Sequence, residues 1–332
     1  MIGRRELLQG MTLAGAAGLL GVRPGQAAAT PPPETTKLRL ARTTSICQAP
    51  QYIAEALFEA EGFTDVQYLG EPAHPEQTLI SGDAQMVMVF AGPLLLRLDE
   101  GAPLVILSGG HVGCIELFAH DPIRSVYDLK GRRVAVTALG GPVHIFLSMM
   151  LAHVGLDPRK DVTTIVTPSL PDAVRSFEAK RVDAFVASPP AGQELRAKKI
   201  GHVVVNSAVD RPWSQYFCCV VTGQREFVQK NPVATKRALR AILKAADICG
   251  LEPERAARSL VNKGLTQRHD YALQTMKELP YGKWREFDPE DTVRFYALRL
   301  HEVGMIKSTP QKLIAQGTDW RFLNELKKEL KG

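Results

Sequence analysis

The sequence predicts an α/β protein of two lobes, built on mainly parallel sheets flanked by helices and finished by a helical C-terminal tail. Three observations predict it. Strand-like and helix-like segments alternate through two successive cycles, the pattern of parallel sheets with crossover helices. Some strand segments, "AQMVMVF" (84–90) above all, are near-continuously apolar, as strands covered on both faces must be. The chain of 332 residues also leaves roughly 300 after its N-terminal leader, more than one hydrophobic core usually organises.

The leader comes first. Residues 1–29 carry Arg4 and Arg5, an apolar stretch from about Gly10 to Val22, and the small residues Ala27–Ala29 that suit signal peptidase. The apolar stretch is shorter than the roughly 20 residues that span a bilayer. Arg4-Arg5 before Leu7-Leu8, with Arg23 ahead of the cleavage region, resembles the twin-arginine export signal, which carries folded proteins. An ordinary secretory leader with an incidental arginine pair is the alternative. The mature chain is expected to begin near Thr30 and to work in the periplasm. Loss of residues 1–29 lowers the formal charge from +6 to +4 and leaves no basic tract dense enough to follow phosphates, so nucleic acid is not expected as a partner. Residues 30–36, "TPPPETT", read as a disordered leader.

The alternation then begins. "KLRLART" (37–43) reads as a strand, and "APQYIAEALFEAEGF" (49–63) as a helix with Ile53, Ala56, Leu57 and Ala60 on one face. "DVQYLG" (65–70), a short helix to about Ile80, the strand 84–90 and the helix "PLLLRLDEG" (93–101), capped by Gly101, follow. "LVILSGG" (104–110) and "CIELFAH" (114–120) complete the first cycle. The second runs through a strand ending at Thr137 and a helix at 141–156, where Pro142 suits the first turn. It continues with a strand at 162–168, a helix at 170–181, and strands at 182–188 and 202–208. After the segment around 214–223 come helices at 224–230, 232–249, 252–263, 268–278, 289–303 and 310–328. These define lobe I as 37–121 plus 214–305, lobe II as 122–213 and a tail at 306–332. Ligands of such open sheets bind at the carboxyl ends of the strands, here between the lobes.

Four stretches resemble a known family. "SVYDLKGRRVAVT" (125–137) is similar to the segment that opens the second lobe in periplasmic substrate-binding proteins of ABC importers. "VDAFVASPP", "REFVQKNPVATKRALRAILKAADIC" and "GMIKSTPQKLIAQGTDWRFL" resemble the nitrate/sulfonate/taurine branch of that group. The resemblance covers essentially residues 37–325. It implies a type II periplasmic-binding fold, no catalysis and no cofactor, a small-molecule solute, and delivery to a permease with its ATPase by a monomer. A thiamine-pyrimidine synthase of the same superfamily, with a cysteine-rich metal motif, is one alternative; a ligand-sensing partner of a membrane receptor is another.

No nucleophile elbow, phosphate loop or paired His/Glu metal helix occurs after residue 29. The five cysteines (47, 114, 218, 219, 249) form no CxxC pair. On a strand, Cys218 and Cys219 point to opposite faces and cannot both face one metal without a bulge. They read as buried core residues. His111-x-x-Cys114 has no second pair, so no metal is expected, and His74 and His111 read as surface or structural.

The candidate ligand contacts are loop ends. After strand one come Thr44, Ser45 and Gln48, with Tyr52 a turn into the helix, and Arg42 either faces the crevice or pairs with an acid. Phe90 and Ala91 follow strand three, and Ser108 and Gly109 follow strand four. In lobe II, Thr137 ends a strand and Gly140 opens a loop, ahead of a helix whose N-terminus favours an anionic group. The family resemblance places ligand contacts at that loop, hence Gly141, Val143 and His144. Ser188, Trp213 and Gln215 flank the returning segment, where aromatic residues of the family often face the cleft. A sulfonate- or carboxylate-like anion is the expected solute.

Overall fold

The structure, a computed structural model, describes residues 31–43, 45–70 and 74–330, and the features below belong to the compact unit Pro33–Gly332. The expected export leader and Thr44 lie outside the described residues.

Ten strands occur among the described residues: β1 (Lys37–Ala41), β2 (Asp65–Leu69), β3 (Met86–Phe90), β4 (Leu104–Val112), β5 (Glu116–Ala119), β6 (Arg133–Val136), β7 (Thr163–Val166), β8 (Ala184–Ala187), β9 (His202–Asn206) and β10 (Phe217–Gln224). They form two five-stranded sheets, β2-β1-β3-β10-β4 and β7-β6-β8-β5-β9. The helices are α1 (Ala49–Ile53), α2 (Glu55–Ala60), α3 (Pro75–Ile80), α4 (Ala91–Asp99), α5 (Pro142–His153), α6 (Leu170–Glu178) and α7 (Ala191–Lys198). After β10 come α8 (Arg225–Lys230), α9 (Pro232–Leu251), α10 (Pro253–Asn262), α11 (His269–Glu278), α12 (Pro289–Glu302), α13 (Pro310–Gly317) and α14 (Arg321–Glu329).

The α/β class and the two-sheet architecture are as the alternation predicts, but the sheets are mixed. β1 runs parallel to β2 and β3, and β6 parallel to β7 and β8. β10 is antiparallel to β3 and β4, and β5 to β8 and β9. In each sheet the antiparallel strand is the one that arrives from the other lobe. The crossing also lies earlier than the expected boundary at 121, because Glu116 already pairs with Ala187 and Asn206 in the second sheet. The apolar run "CIELFAH" therefore opens lobe II instead of closing lobe I.

The crossing corner is Gly113 (φ +65) and Cys114 (φ +139). A Cβ on Gly113 would meet the Ala208 backbone at 2.3 Å, so only glycine lets the two crossing segments touch. Ser207 Oγ laces them: it accepts from Cys114 N (3.2 Å) and Ile115 N (2.9 Å) and donates to Ile115 O (2.7 Å).

Two terminal expectations are corrected. Within 30–36, Glu34 is tied down: its carboxylate accepts from Val233 N (2.9 Å) and Ala234 N (2.8 Å), the free amides that begin α9. Burial works to raise its pKa, yet these hydrogen bonds hold it below the ordinary value. The helix expected over 310–328 is two, α13 and α14. Between them Thr318 bridges Ile106, and Asp319 N donates to Ile106 O at 2.9 Å, which covers part of the β4 edge.

The lobe I core is closed by α9, whose Ala238, Leu239, Ile242, Ala245, Ala246 and Cys249 are buried while Lys236 and Arg240 pair with Glu329 and Glu61 on the outside. Trp284 and Tyr281, just after α11, are fully buried below the carboxyl end of β4.

Candidate functional site

The two lobes touch in several places, among them His153 of α5 and Trp213 against Phe295 of α12. Near β3, the Phe90 ring lies 6.0 Å from Phe146 of α5, edge to face. Gly92 in the next turn has no room for a Cβ, which would lie 2.7 Å from Ile145 Cγ2. Elsewhere Arg196 Nη2 of α7 donates to Glu278 Oε1 (2.7 Å) and Oε2 (2.6 Å) of α11, and Gln193 Nε2 donates to the same carboxylate at 3.1 Å. Arg196 also holds Glu116 within lobe II. Glu116 is buried, and burial pushes its pKa above the ordinary carboxylate value despite the guanidinium.

The loop after β1 contains buried polar groups. Ser45 is half-buried, its Oγ 3.0 Å from Cys47 Sγ. Gln48 is buried and its Oε1 has no hydrogen-bond partner among the described residues. Tyr52 is committed to the backbone: its hydroxyl accepts from Thr43 N (2.9 Å) and donates to Thr43 O (3.2 Å), and its ring stacks on Tyr68 at 4.9 Å. Gln51, which the loop-end reasoning passed over, is fully buried and braces the sheet by donating to Ala41 O (3.1 Å) and accepting from Met88 N (2.9 Å). Its signal in the sequence was a lone amide one turn into an apolar helix. Arg42 is exposed and donates to Tyr68 O at 3.0 Å, so neither expected role describes its Nε.

Three other expectations change with the structure. Ser108 and Gly109 sit inside β4, not after it; the strand runs to Val112, Ser108 Oγ donates to Gly109 O (2.7 Å), and Phe217 fills the space beside Gly109. Trp213 is buried in an aromatic cluster, 5.0 Å from Phe146, 5.6 Å from His153 and 5.7 Å from Phe295, which makes it packing at the lobe junction. Gln215 is exposed. Ala91 begins α4 and is buried; Ser188 is half-buried and its carbonyl accepts from Ala191 N.

The lobe II loop is built as an N-terminal cap. Thr137 is half-buried, Gly140 is exposed at φ +73, and Gly141 is the extended residue before α5. Val143 is buried and His144 half-buried in the first turn. Gly140 N donates to His144 Nδ1 at 3.0 Å, which makes Nδ1 an acceptor and leaves Nε2 as the donor of a neutral ring. Burial lowers the His144 pKa, in agreement with that neutral form.

The feature least expected from the sequence lies under β4. His111 is not on the surface: it is fully buried, its Nδ1 lies 3.3 Å from Val112 O, and its Nε2 has no partner among the described residues. Cys47, Cys114 and Cys219 surround it, and one ligand atom from each of the four lies within 4.8 Å of the others. Cys218 and Cys219 are buried as expected, but the register of β10 against β4 is irregular on both sides of Cys219. Cys218 Sγ lies 2.6 Å from Cys114 Sγ. The four residues come from the β1 loop, β4, the crossing and β10, so local spacing announced only the His111-x-x-Cys114 half of them.

Comparisons with known proteins place the fold. The nitrate/nitrite binding protein NrtA of Nostoc sp. (strain PCC 7120) is 24% identical over 253 residues, which are 67% of this chain and 56% of that protein. The chain thus spans little more than half the length of that curated relative. The periplasmic nitrate-binding protein NrtA from Synechocystis PCC 6803 superposes with a TM-score of 0.72 at 17% identity, over 91% of this chain and 90% of that one. The periplasmic aliphatic sulphonate binding protein SsuA from Escherichia coli gives 0.66 at 19% identity, over 84% and 91%. These likenesses establish the periplasmic-binding-protein fold. Residues 31–263 match the NMT1-like family, and the chain belongs to that family.

Proposed function

We propose that the protein is the periplasmic solute-binding component of an ABC importer, which closes its two lobes on a small sulfonate- or carboxylate-like anion and presents it to a permease. The observation that carries this reading is a clamp geometry: two sheets joined by two laced crossing segments, with separate contacts between the lobes at Phe90–Phe146 and Arg196–Glu278. After Gly140 and Gly141, the first turn of α5 supplies the amides of Val143 and His144 and a favourable dipole for an anion, and neutral His144, whose Nδ1 accepts from Gly140 N, adds a ring N–H. Ser45 and Gln48 complete the polar surface from lobe I. The named functions of the relatives, nitrate and sulphonate binding, point to the same solute class.

Export by the Arg4-Arg5 leader and cleavage near Ala29 belong to this proposal, as do a monomeric state, the ATPase partner and the absence of turnover. No helix among the described residues is long and apolar enough to cross a membrane. The test is a thermal-shift screen of the chain from Thr30 against alkanesulfonates, carboxylates and nitrate, followed by calorimetry and product analysis. A reversible, saturable shift without product supports the receptor. Consumption of the compound, or no shift with any anion in folded, ligand-free protein, overturns it.

A further inference from the structure

We propose that Cys47, His111, Cys114 and Cys219 form a closed four-ligand site for a tetrahedral thiolate-seeking cation, zinc first, inside lobe I. This goes beyond the solute-binding reading and stands without it. Three thiols and an imidazole match the Cys₃His set of structural zinc sites. Such zinc, bound at about 2.3 Å to sulfur, keeps its ligand atoms about 3.8 Å apart. Atoms already within 4.8 Å of one another need shift by no more than about an ångström to reach that spacing.

Independent observations point to a ligand at this place. His111 Nε2 is a wholly buried polar atom with no partner among the described residues, an expensive arrangement for a group that needs one. With the proton on Nδ1, toward Val112 O, the Nε2 lone pair is free to bind, and a backbone carbonyl behind the ring is the usual second support of a metal-bound histidine. Cys114 holds φ +139, a backbone region that non-glycine residues rarely adopt. That outlier falls at the corner that brings its sulfur to the other three ligands. The surroundings are arranged around the same atoms: Ser45 Oγ lies 3.0 Å from Cys47 Sγ, and Tyr281 donates its hydroxyl to Cys47 O at 3.0 Å. Its ring packs 5.4 Å from His111. On binding, three protons in all pass from the four ligands to solvent.

All four groups are buried, which leaves no open coordination position and makes the ion a staple between β1, β4, the crossing and β10. Cys218, 2.6 Å from Cys114, is the competing partner: a disulfide between the two would remove one ligand.

The test uses the whole mature chain purified under reducing conditions without chelator. Elemental analysis is expected to give about one zinc per chain, and cobalt replacement the intense thiolate-to-cobalt absorption of a tetrahedral site. H111A and C114S are expected to lower zinc affinity at least tenfold, while C249S, a buried cysteine outside the cluster, keeps it. C218S is expected to retain the metal. The cobalt spectrum needs no variant, so a variant that fails to fold does not remove the test. Folded wild-type protein that takes up neither zinc nor cobalt overturns the proposal. So does loss of metal in C218S, or a Cys114–Cys218 disulfide in protein kept reduced. Stoichiometric copper(I) in place of zinc, with the same cysteine dependence, overturns the assignment of zinc and keeps the ligand set. Solute binding is read separately by calorimetry on metal-loaded and metal-free protein, so failure of one reading is distinguishable from failure of the other.

Discussion

Arg196 of α7 and Glu278 of α11 join the two lobes through two hydrogen bonds, at 2.7 and 2.6 Å, and the same guanidinium also holds Glu116 of β5. One side chain therefore both neutralises a buried acid in lobe II and reaches the other lobe. Glu278→Ala removes the second role, and Arg196→Ala removes both.

Glu278→Ala removes the link between lobes and one hydrogen bond within α11, from Gln274. Glu278 is partly exposed, so the effect on stability is expected to stay within about 1 kcal/mol. Closure should suffer more: small-angle scattering is expected to show a larger radius of gyration, and ligand affinity to fall severalfold. Unchanged scattering and affinity would show that the pair does not hold the lobes together.

Arg196→Ala strands Glu116 as a buried acid without its cation. Breaking a buried pair costs about 3–5 kcal/mol; the partial exposure of Arg196 reduces the expectation to about 2–4 kcal/mol. The sign with pH follows from Glu116, whose folded pKa is raised by burial. Between its unfolded and folded pKa the native state binds the extra proton, so stability declines as pH rises through that window and stays low above it. Without the arginine the window widens. The Tm deficit of the variant should be smaller at pH 5 than at pH 8; an equal deficit at both would place its origin elsewhere.

His144→Ala is expected to weaken anion binding about tenfold in calorimetry, equivalent to about 1.4 kcal/mol, with little change in the Tm of ligand-free protein. His144 has a folded pKa lowered by burial, so its contribution to stability is complete above the unfolded value near 6.5 and declines as pH falls toward the folded one. Protonation there also removes the acceptor for Gly140 N. Unchanged affinity at pH 7.5 would take His144 out of the site.

Glu34→Gln removes the charge that caps α9 from 199 residues away. The expected loss is about 0.5–1 kcal/mol, at the low end for a cap because Glu34 keeps solvent contact. Its folded pKa is lowered, so this stability is present above the unfolded carboxylate pKa and disappears as pH falls through the folded one. Wild type and variant should converge in Tm as pH falls below the ordinary carboxylate range. A difference that persists there would mean that packing, not charge, is responsible.

Much of the architecture was legible along the chain. The apolar run at Met86–Phe90 is the buried central strand it resembled, and Pro142 does open α5. The amphipathic stripe of α9 is the one its spacing describes. The crossing was not legible, because "CIELFAH" is an equally good strand for either sheet and its partners β8 and β9 lie more than 60 residues downstream. Ser108 and Gly109 read as a loop since glycines usually end strands; here Phe217 occupies the space a side chain would need.

What the sequence by itself determined is the order and kind of most of the elements and the family likeness. Those follow from steric preferences and side-chain periodicities that repeat within two to four residues. Which groups share a site was decided only by tertiary structure. Residues 47, 111, 114 and 219 meet because strand order β3-β10-β4 and the corner at Gly113-Cys114 carry them to one point. Glu34 meets α9, and Arg196 meets Glu278, for the same reason. Closing loops of such length brings together atoms whose separation along the chain contains no trace of their distance in space.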